Sequence, residues 1–323
     1  MRLQRGLARR RSRERTVHLA RLLAVASVAV ASCGVVAAAG TSRATVDPVA
    51  YRHPRPAPVA ASPLAHLPAG ALSALITTVL RPAPPPPPPP PPHHRAGQPV
   101  TIMFIGDSVA QTTAAGLGPL ASQYGGAIAN EGIMGCGVVT ASPYRYFGQQ
   151  QNLLPQCESW QATWRAAVAH DNPDLAVIMV GRWELMERFY DGRWTHVGDP
   201  AYDAYIVAQL QQAVAIASAQ RAKVALLTTP YYLRGLTPTG GLFPEDQPAR
   251  VDLVNGLIRQ VAASHPGLVS VIDFGAHLSP GGKFAMAIDG VQVRSDGVHM
   301  TPQTGPWLAP WLMPQLVALG AKA

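Results

Sequence analysis

A serine stands where a short apolar run of the chain ends. Residues 100–105 read Val-Thr-Ile-Met-Phe-Ile and are followed by Gly106, Asp107 and Ser108. If a strand ends at Gly106 and a helix follows, the Ser108 hydroxyl lies at a helix N-terminus, where unpaired backbone N–H groups and the helix dipole favour negative charge. Such a serine can serve as a nucleophile, or it can simply cap the helix.

A second group of candidate residues lies near the end of the chain. Asp296 precedes His299 by three residues, and Gly297 between them indicates a turn. This spacing lets the carboxylate accept a hydrogen bond from one ring nitrogen while the other nitrogen faces a nucleophile. A surface turn without chemistry is the alternative interpretation. Ser108, His299 and Asp296 are therefore candidates for a catalytic triad.

The elements that must position these residues are indicated by the hydrophobic pattern. From Val100 onward, short apolar runs alternate with longer amphipathic segments, which is typical of a parallel sheet with crossover helices. The carboxyl ends of parallel strands meet at one edge of the sheet, so the reactive groups are expected there. The predicted strands are 100–105, 127–130, 175–180, 224–228 and 268–272, and the predicted helices are 109–123, 159–170, 200–220, 247–264 and 303–319.

The Gly-Asp-Ser block, the late Asp-x-x-His block and the five-strand alternation together resemble the SGNH (GDSL-like) hydrolase family over about residues 100–320. The resemblance implies an α/β fold, a flavodoxin-like three-layer α/β/α sandwich with a five-stranded parallel sheet. It also implies a serine hydrolase in which Ser108 attacks an acyl carbonyl, His299 accepts the serine proton and Asp296 orients the histidine ring.

The second block of the family supplies a glycine N–H to the oxyanion hole after a strand that ends in Asn. Asn130 ends the second predicted strand here, and the resemblance assigns Gly135 as the donor, with Gly132 as an alternative register. The backbone N–H of Ser108 is the second expected donor.

The third block departs from the family pattern. Its Gly-x-Asn-Asp is replaced by Gly-Arg-Trp-Glu at residues 181–184, so Trp183 occupies the position of an oxyanion-binding Asn. The indole N–H of Trp183 or the guanidinium of Arg182 could donate to the oxyanion. Packing of Trp183 along the substrate cleft is an equal alternative. We also expect substrate contacts from Asp107, Trp183, Glu184 and Tyr231.

A narrower resemblance rests on this Gly-Arg-Trp-Glu variant together with Pro230-Tyr231 and Phe-Pro-Glu-Asp at residues 243–246. It is to the SGNH domains found at the ends of integral-membrane acyltransferases that decorate bacterial surface glycans. It implies an O-acyl, foremost an O-acetyl, ester of cell-envelope carbohydrate as the substrate, and a membrane acyltransferase as a candidate partner. Hydrolysis, acyl transfer to a sugar hydroxyl and non-catalytic glycan binding all remain open.

The positive charge is confined to the N-terminus. Residues 1–21 hold eight arginines and one glutamate, so they carry +7 of the formal net charge of +8. The rest of the chain is nearly neutral, which argues against a nucleic-acid-binding surface.

Residues 22–42 contain no charged side chain, and a basic run followed by an apolar one is typical of export signals. We favour an uncleaved signal anchor in residues 1–42, with cleavage after Ala37-Ala38-Ala39 and lipidation of Cys33 as alternatives. Each places the remainder of the chain outside the cytoplasm, anchored to a membrane or secreted.

Residues 43–98 are rich in Pro and Ala, and the unbroken prolines 84–92 predict an extended polyproline tether ahead of a catalytic domain at 99–323. In an oxidising compartment Cys136 and Cys157 are expected to form a disulfide, with two free thiols as the alternative. The sequence contains no metal-ligand cluster or phosphate-binding loop, so no cofactor is expected. We expect a monomer.

Overall fold

The computed structural model of the protein describes residues 94–95 and 97–323. The predicted export segment, 1–42, and nearly all of the predicted tether, 43–98, lie outside the described residues and stay predictions. Between residue 94 and the C-terminus, leaving aside Ala96, no helix is both long enough and apolar enough to cross a membrane.

A five-stranded parallel sheet forms the centre of the fold. Its strand order, with strands numbered along the chain, is β2-β1-β5-β8-β9, and all neighbouring pairs are parallel. Every residue of β5 is buried, as expected for a strand covered on both faces. These strands are β1 (Val100–Gly106), β2 (Gly126–Gly132), β5 (Leu175–Met179), β8 (Lys223–Leu227) and β9 (Val269–Ile272).

Helices cover the sheet in two layers, which confirms the predicted three-layer α/β fold. The first layer pairs α1 with α7, and in the second α4 lies between α3 and α5. The predicted helix 109–123 ends early, because Gly118-Pro119 converts its last part into a 3₁₀ helix, Gly118–Tyr124. The helices are α1 (Ser108–Leu117), α2 (Pro155–Glu158), α3 (Trp160–Asp171), α4 (Pro200–Ala217), α5 (Pro248–Ala263), α6 (Phe274–His277) and α7 (Thr304–Gly320).

A second, antiparallel sheet lies beside the main one, and no pattern in the sequence predicted it. Its order is β4-β3-β6-β7. Strands of three or four residues such as Gln-Gln-Gln and Arg-Trp-Thr are too short for a hydrophobic period to be recognised, so no periodic signal marks them. The strands are β3 (Tyr144–Tyr146), β4 (Gln149–Gln151), β6 (Glu187–Tyr190) and β7 (Arg193–Thr195), and a separate hairpin is formed by β10 (Ala287–Ile288) and β11 (Val291–Gln292).

Two connections complete the framework of the domain. A disulfide joins Cys136 to Cys157, which confirms the predicted pairing and ties the loop after β2 to α2. The ring Nδ1 of His94 lies within hydrogen-bond distance of the Asp174 carboxylate, at 3.2 Å. Contacts with the domain therefore begin before the predicted boundary at residue 99.

Candidate active site

The sharp exit from β1 places Ser108 at the edge of the sheet. Gly106 has a φ of +146°, and a Cβ at this position would lie 1.8 Å from the carbonyl oxygen of Met179, so only glycine fits. Asp107 then caps α1 by accepting a hydrogen bond from the Val109 N–H at 2.7 Å. Ser108 is the first residue of α1, where the backbone N–H has no partner within the helix.

A tight turn carries the other two predicted catalytic residues. An isolated bridge between Arg294 and Met300 closes the turn, and one oxygen of Asp296 accepts the backbone N–H of His299 at 2.9 Å. Gly297 has a φ of +83°, and a Cβ there would lie 1.8 Å from the carbonyl oxygen of Leu233. The turn therefore requires glycine between the aspartate and the histidine.

The structure brings Ser108, His299 and Asp296 into one hydrogen-bonded chain. The Ser108 hydroxyl lies 2.8 Å from Nε2 of His299, and Nδ1 of the same ring lies 2.8 Å from Oδ2 of Asp296. In the tautomer that suits this chain, the ring donates from Nδ1 to the carboxylate and accepts the serine proton at Nε2. The arrangement can deprotonate the serine as it attacks an electrophile.

The carboxylate of Asp296 is held in its charged form. Partial burial acts to raise its pKa, but hydrogen bonds from the His299 backbone and ring and from the Val298 backbone outweigh burial. The net effect holds the pKa of Asp296 well below its ordinary value. A charged Asp296 stabilises the imidazolium that forms when His299 accepts a proton.

Thr112 joins the two halves of the site and was not predicted. Its hydroxyl donates to the carbonyl oxygen of Ser108 at 2.9 Å and accepts the backbone N–H of Met300 at 3.3 Å. Since Met300 directly follows His299, one side chain holds the nucleophile's helix against the histidine's turn. The position of Thr112, one helical turn after the nucleophile, is the sequence signal that could have found it.

Arg234 is a second residue that the sequence analysis missed. Its guanidinium contacts Oδ2 of Asp296, the oxygen that also binds the histidine ring. Its backbone N–H donates to Asp246 at 3.1 Å. Arg234 lies 62 residues before Asp296, so no local pattern links the two residues.

Gly135, the expected oxyanion donor, has an available N–H. It has a φ of +83°, and in the part of the chain that the structure describes its N–H has no hydrogen-bond partner. The side chain of Leu154 lies so close that a Cβ on Gly135 would come within 2.8 Å of it. Gly132 instead ends β2 opposite Gly106, so Gly135 fits the predicted role better than the alternative register does.

Arg182 was predicted as a candidate oxyanion donor, and this prediction is corrected. Its guanidinium lies in the interior and connects parts of the domain. The residue is 2% exposed, and its guanidinium binds Asp246 and the backbone carbonyl of Glu245. Burial acts to lower its pKa, but Asp246, Tyr146 and Glu245 together outweigh burial and the net pKa is raised. Asp246 thus binds Arg182 through one oxygen and the Arg234 backbone through the other.

Trp183 fits the packing alternative. Its ring packs between Tyr144 and Tyr146, with centroid distances of 5.7 and 5.8 Å, and lies against Gly135. The indole N–H is fully buried and finds no partner among the described residues. An oxyanion cannot reach a donor that is closed off in this way, so the predicted oxyanion contacts of Trp183 and Arg182 are both corrected. A substrate contact through the half-buried Trp183 ring stays a prediction.

Two predicted substrate contacts are wrong because the side chains are buried. Glu184 accepts the backbone N–H groups of Val138 and Gly181 at 2.8 and 2.7 Å and holds the two loops together. Asp107 faces inward as the helix cap, with one oxygen unpaired among the described residues. Burial, reinforced by the nearby Glu184 carboxylate, raises the pKa of Asp107 to about 7, and burial also raises the pKa of Glu184.

Tyr231 is not brought to the triad. Its hydroxyl donates to Asp252 at 2.7 Å, and its ring lines a separate polar cleft near the ends of β8 and β9. The residue that follows, Tyr232, is buried beneath the site and bonds Thr229.

The sequence from residue 81 to residue 314 matches the family model described as an SGNH domain fused to AT3 domains. The chain belongs to this SGNH family. Family members are serine hydrolases, including esterases and lipases, and this chain is an SGNH serine hydrolase. The fusion named in the description associates the family with membrane acyltransferases.

The chain is also similar to several solved structures. The chain is similar to a GDSL-like lipase from Bacteroides thetaiotaomicron, with 18% identity and a TM-score of 0.44 over 69% of this chain and 91% of that one. An aryl esterase from M. smegmatis matches with 17% identity and a TM-score of 0.45 over 68% and 99%. A carbohydrate acetylesterase from Sinorhizobium meliloti matches with 15% identity and a TM-score of 0.44 over 68% and 99%. None of the curated proteins matches the sequence.

Proposed function

We propose that this SGNH hydrolase removes O-acyl groups, foremost acetyl groups, from cell-envelope carbohydrate on the outer side of the membrane. The observation that carries the proposal is the chain Ser108–His299–Asp296, with both links at 2.8 Å. Hydrogen-bond distance at both links is the geometry that general-base activation of a serine requires.

The reaction follows from these contacts. As the Ser108 oxygen attacks the acyl carbon, its proton moves to Nε2 of His299, and the carbonyl oxygen becomes an oxyanion facing the N–H groups of Ser108 and Gly135. Collapse breaks the ester bond, and the departing sugar oxygen takes the proton from His299. Water then attacks the acyl-serine with His299 as base, which releases the carboxylic acid and restores the serine.

The carbohydrate substrate and the location outside the cytoplasm rest on other features. The family description links SGNH domains to AT3 domains, and the basic and apolar N-terminal sequence is typical of an export signal. The disulfide suits an oxidising compartment. A membrane acyltransferase that installs the ester is the partner that this association favours.

Hydrolysis of p-nitrophenyl acetate by the full chain tests the proposal. We expect turnover that Ser108→Ala lowers by a factor of about 10³ or more, because the nucleophile is lost. Release of acetate from an O-acetylated polysaccharide by the wild-type chain tests the substrate class. A wild-type chain that turns over neither substrate would refute the proposal.

Acyl transfer to a sugar hydroxyl is the alternative that the AT3 association supports. It uses the same acyl-serine, with a sugar hydroxyl in place of water as the second nucleophile. If added oligosaccharide acceptors become acetylated while acetate release falls, the chain is a transferase.

A further inference from the structure

Three half-buried aromatic rings pack against one another at the border of the active site, one pair tilted and the other edge to face. Tyr146 and Phe147 have centroids 4.3 Å apart, and Phe147 and Phe243 have centroids 4.9 Å apart. We call these three residues the aromatic platform. Tyr146 also contacts Trp183, which lies against Gly135, so the platform begins beside the expected oxyanion donor.

The other border of the aromatic platform adjoins the triad. The position that a Cβ on Gly235 would take lies 3.7 Å from the Phe147 ring. Gly235 directly follows Arg234, whose guanidinium contacts Asp296. The platform therefore lies between Trp183, which is beside Gly135, and the segment that carries Arg234.

The backbone conformation at Phe147 is unusual for a phenylalanine. Phe147 and Gly148 form a two-residue hairpin loop with φ values of +50° and +71°, a conformation that favours Asn, Asp or Gly at the first position. The other two hairpins between strands of the described residues have the same loop length and similar positive φ values, and both use Asp-Gly: Asp191-Gly192 and Asp289-Gly290.

Phe147 is thus a bulky residue in a left-handed conformation that an aspartate would adopt at lower cost. The surrounding structure holds it there, since its backbone N–H donates to the buried Glu245 at 2.8 Å. Glu245 belongs to the Phe-Pro-Glu-Asp segment, which also supplies Phe243 to the platform. The conformation of the hairpin loop alone therefore does not account for an aromatic residue at position 147.

Exposed apolar side chains are concentrated in the same region. Within residues 94–95 and 97–323, seven large hydrophobic residues are exposed, and four of them lie beside Gly135 or Phe243 in the sequence or contact those segments. These four are Met134, Leu154, Leu236 and Leu242.

We propose that the aromatic platform binds a sugar ring of the glycan substrate and presents its ester to Ser108. This inference rests on the proposed function and specifies its substrate contact. All three rings are partly exposed to solvent, whereas an acyl chain is normally bound in a concave apolar pocket. Rigid aromatic faces provide apolar area at low entropic cost, which suits the C–H face of a pyranose.

The test uses inhibition of p-nitrophenyl acetate hydrolysis by unacylated sugars, because a sugar on the platform blocks access to Ser108. The probes are chitotetraose and xylotetraose at millimolar concentration, added to the full chain. We expect at least one to inhibit the wild type. Phe147→Asn should raise the inhibition constant about tenfold, because the central ring of the platform is lost. The same variant should unfold at a higher temperature than wild type, because asparagine suits the turn.

Phe189→Ala is the matched control, since Phe189 is an exposed phenylalanine of the same small sheet that pairs with Trp194 instead of the platform. It should leave the inhibition constant unchanged. The inference is overturned if neither sugar inhibits the wild type, if Phe147→Asn and Phe189→Ala behave alike, or if Phe147→Asn selectively loses p-nitrophenyl octanoate. The last result would indicate an acyl site. An inactive wild type would instead refute the proposed function.

Discussion

The guanidinium of Arg234 and the ring of His299 bind the same carboxylate oxygen of Asp296. Asp296 is therefore held from two sides: by the turn that contains it and by a segment 62 residues earlier in the chain. Asp246, which binds the Arg234 backbone and the Arg182 guanidinium, extends this support into the domain. The relationship assigns Arg234 a positioning role for the triad.

We expect Arg234→Gln to lower kcat for p-nitrophenyl acetate about tenfold, because a freer Asp296 orients His299 less well. The free energy of unfolding should change by less than about 1 kcal/mol, since the ion pair is partly exposed. Steady-state kinetics and urea unfolding measure the two effects. Arg193→Gln, which removes the exposed ion pair with Asp199, is the control. Equal kcat values in the two variants would exclude the positioning role.

Trp183→Phe should lower kcat less than tenfold. Loss of an oxyanion donor commonly costs about 10²–10³ in rate, but the indole N–H of Trp183 is closed off in the structure. Rates of p-nitrophenyl acetate hydrolysis distinguish a role of Trp183 as an oxyanion donor from a role in packing. A loss of 10²-fold or more, with the unfolding midpoint unchanged, would mean that substrate binding opens a path to this N–H.

Asp107 makes the stability of the protein depend on pH. In the folded protein its pKa is about 7, against 3.8 ordinarily, so between these values the folded state retains a proton that the unfolded state has released. The unfolding free energy therefore falls as pH rises from about 4 to about 7. Asp107→Asn keeps a good helix cap and removes this titration.

Urea unfolding of wild type and Asp107→Asn across this pH window measures the effect. As pH rises, the unfolding free energy of Asp107→Asn should increase relative to that of the wild type, by an amount on the order of a few kcal/mol. A difference that does not vary with pH would show that Asp107 titrates normally in the folded state.

The Cys136–Cys157 disulfide closes a loop with a sequence separation of 21 residues. The double variant Cys136→Ser/Cys157→Ser should lose about 3 kcal/mol of unfolding free energy. The rate of ester hydrolysis should fall as well, because Cys136 directly follows Gly135, the expected oxyanion donor. Urea unfolding and p-nitrophenyl acetate kinetics, with and without reductant, test both expectations. Reductant should destabilise the wild type and leave the double variant unaffected; equal stability of the two proteins under oxidising conditions would contradict the prediction.

The sequence alone determined the central sheet, the main helices and the three triad residues. Buried parallel strands are short apolar runs, and the helices between them show amphipathic spacing, so both signals are local. The Gly-Asp-Ser and Asp-x-x-His blocks were recognised through their resemblance to the SGNH family, since each block alone also fits a helix cap or a surface turn. The disulfide was readable from the position of both cysteines in one connection.

Only the tertiary structure decided which way the remaining polar residues face. Glu184 and Arg182 read as site residues from their motif, but backbone N–H groups and Asp246 bind them in the interior. Arg234 reaches Asp296 only through the fold, since the chain between them provides no periodic signal. The aromatic platform depends on strands too short to show alternation. Local pattern specifies elements, whereas long-range contacts between polar side chains depend on how the elements pack, and a single sequence does not record them.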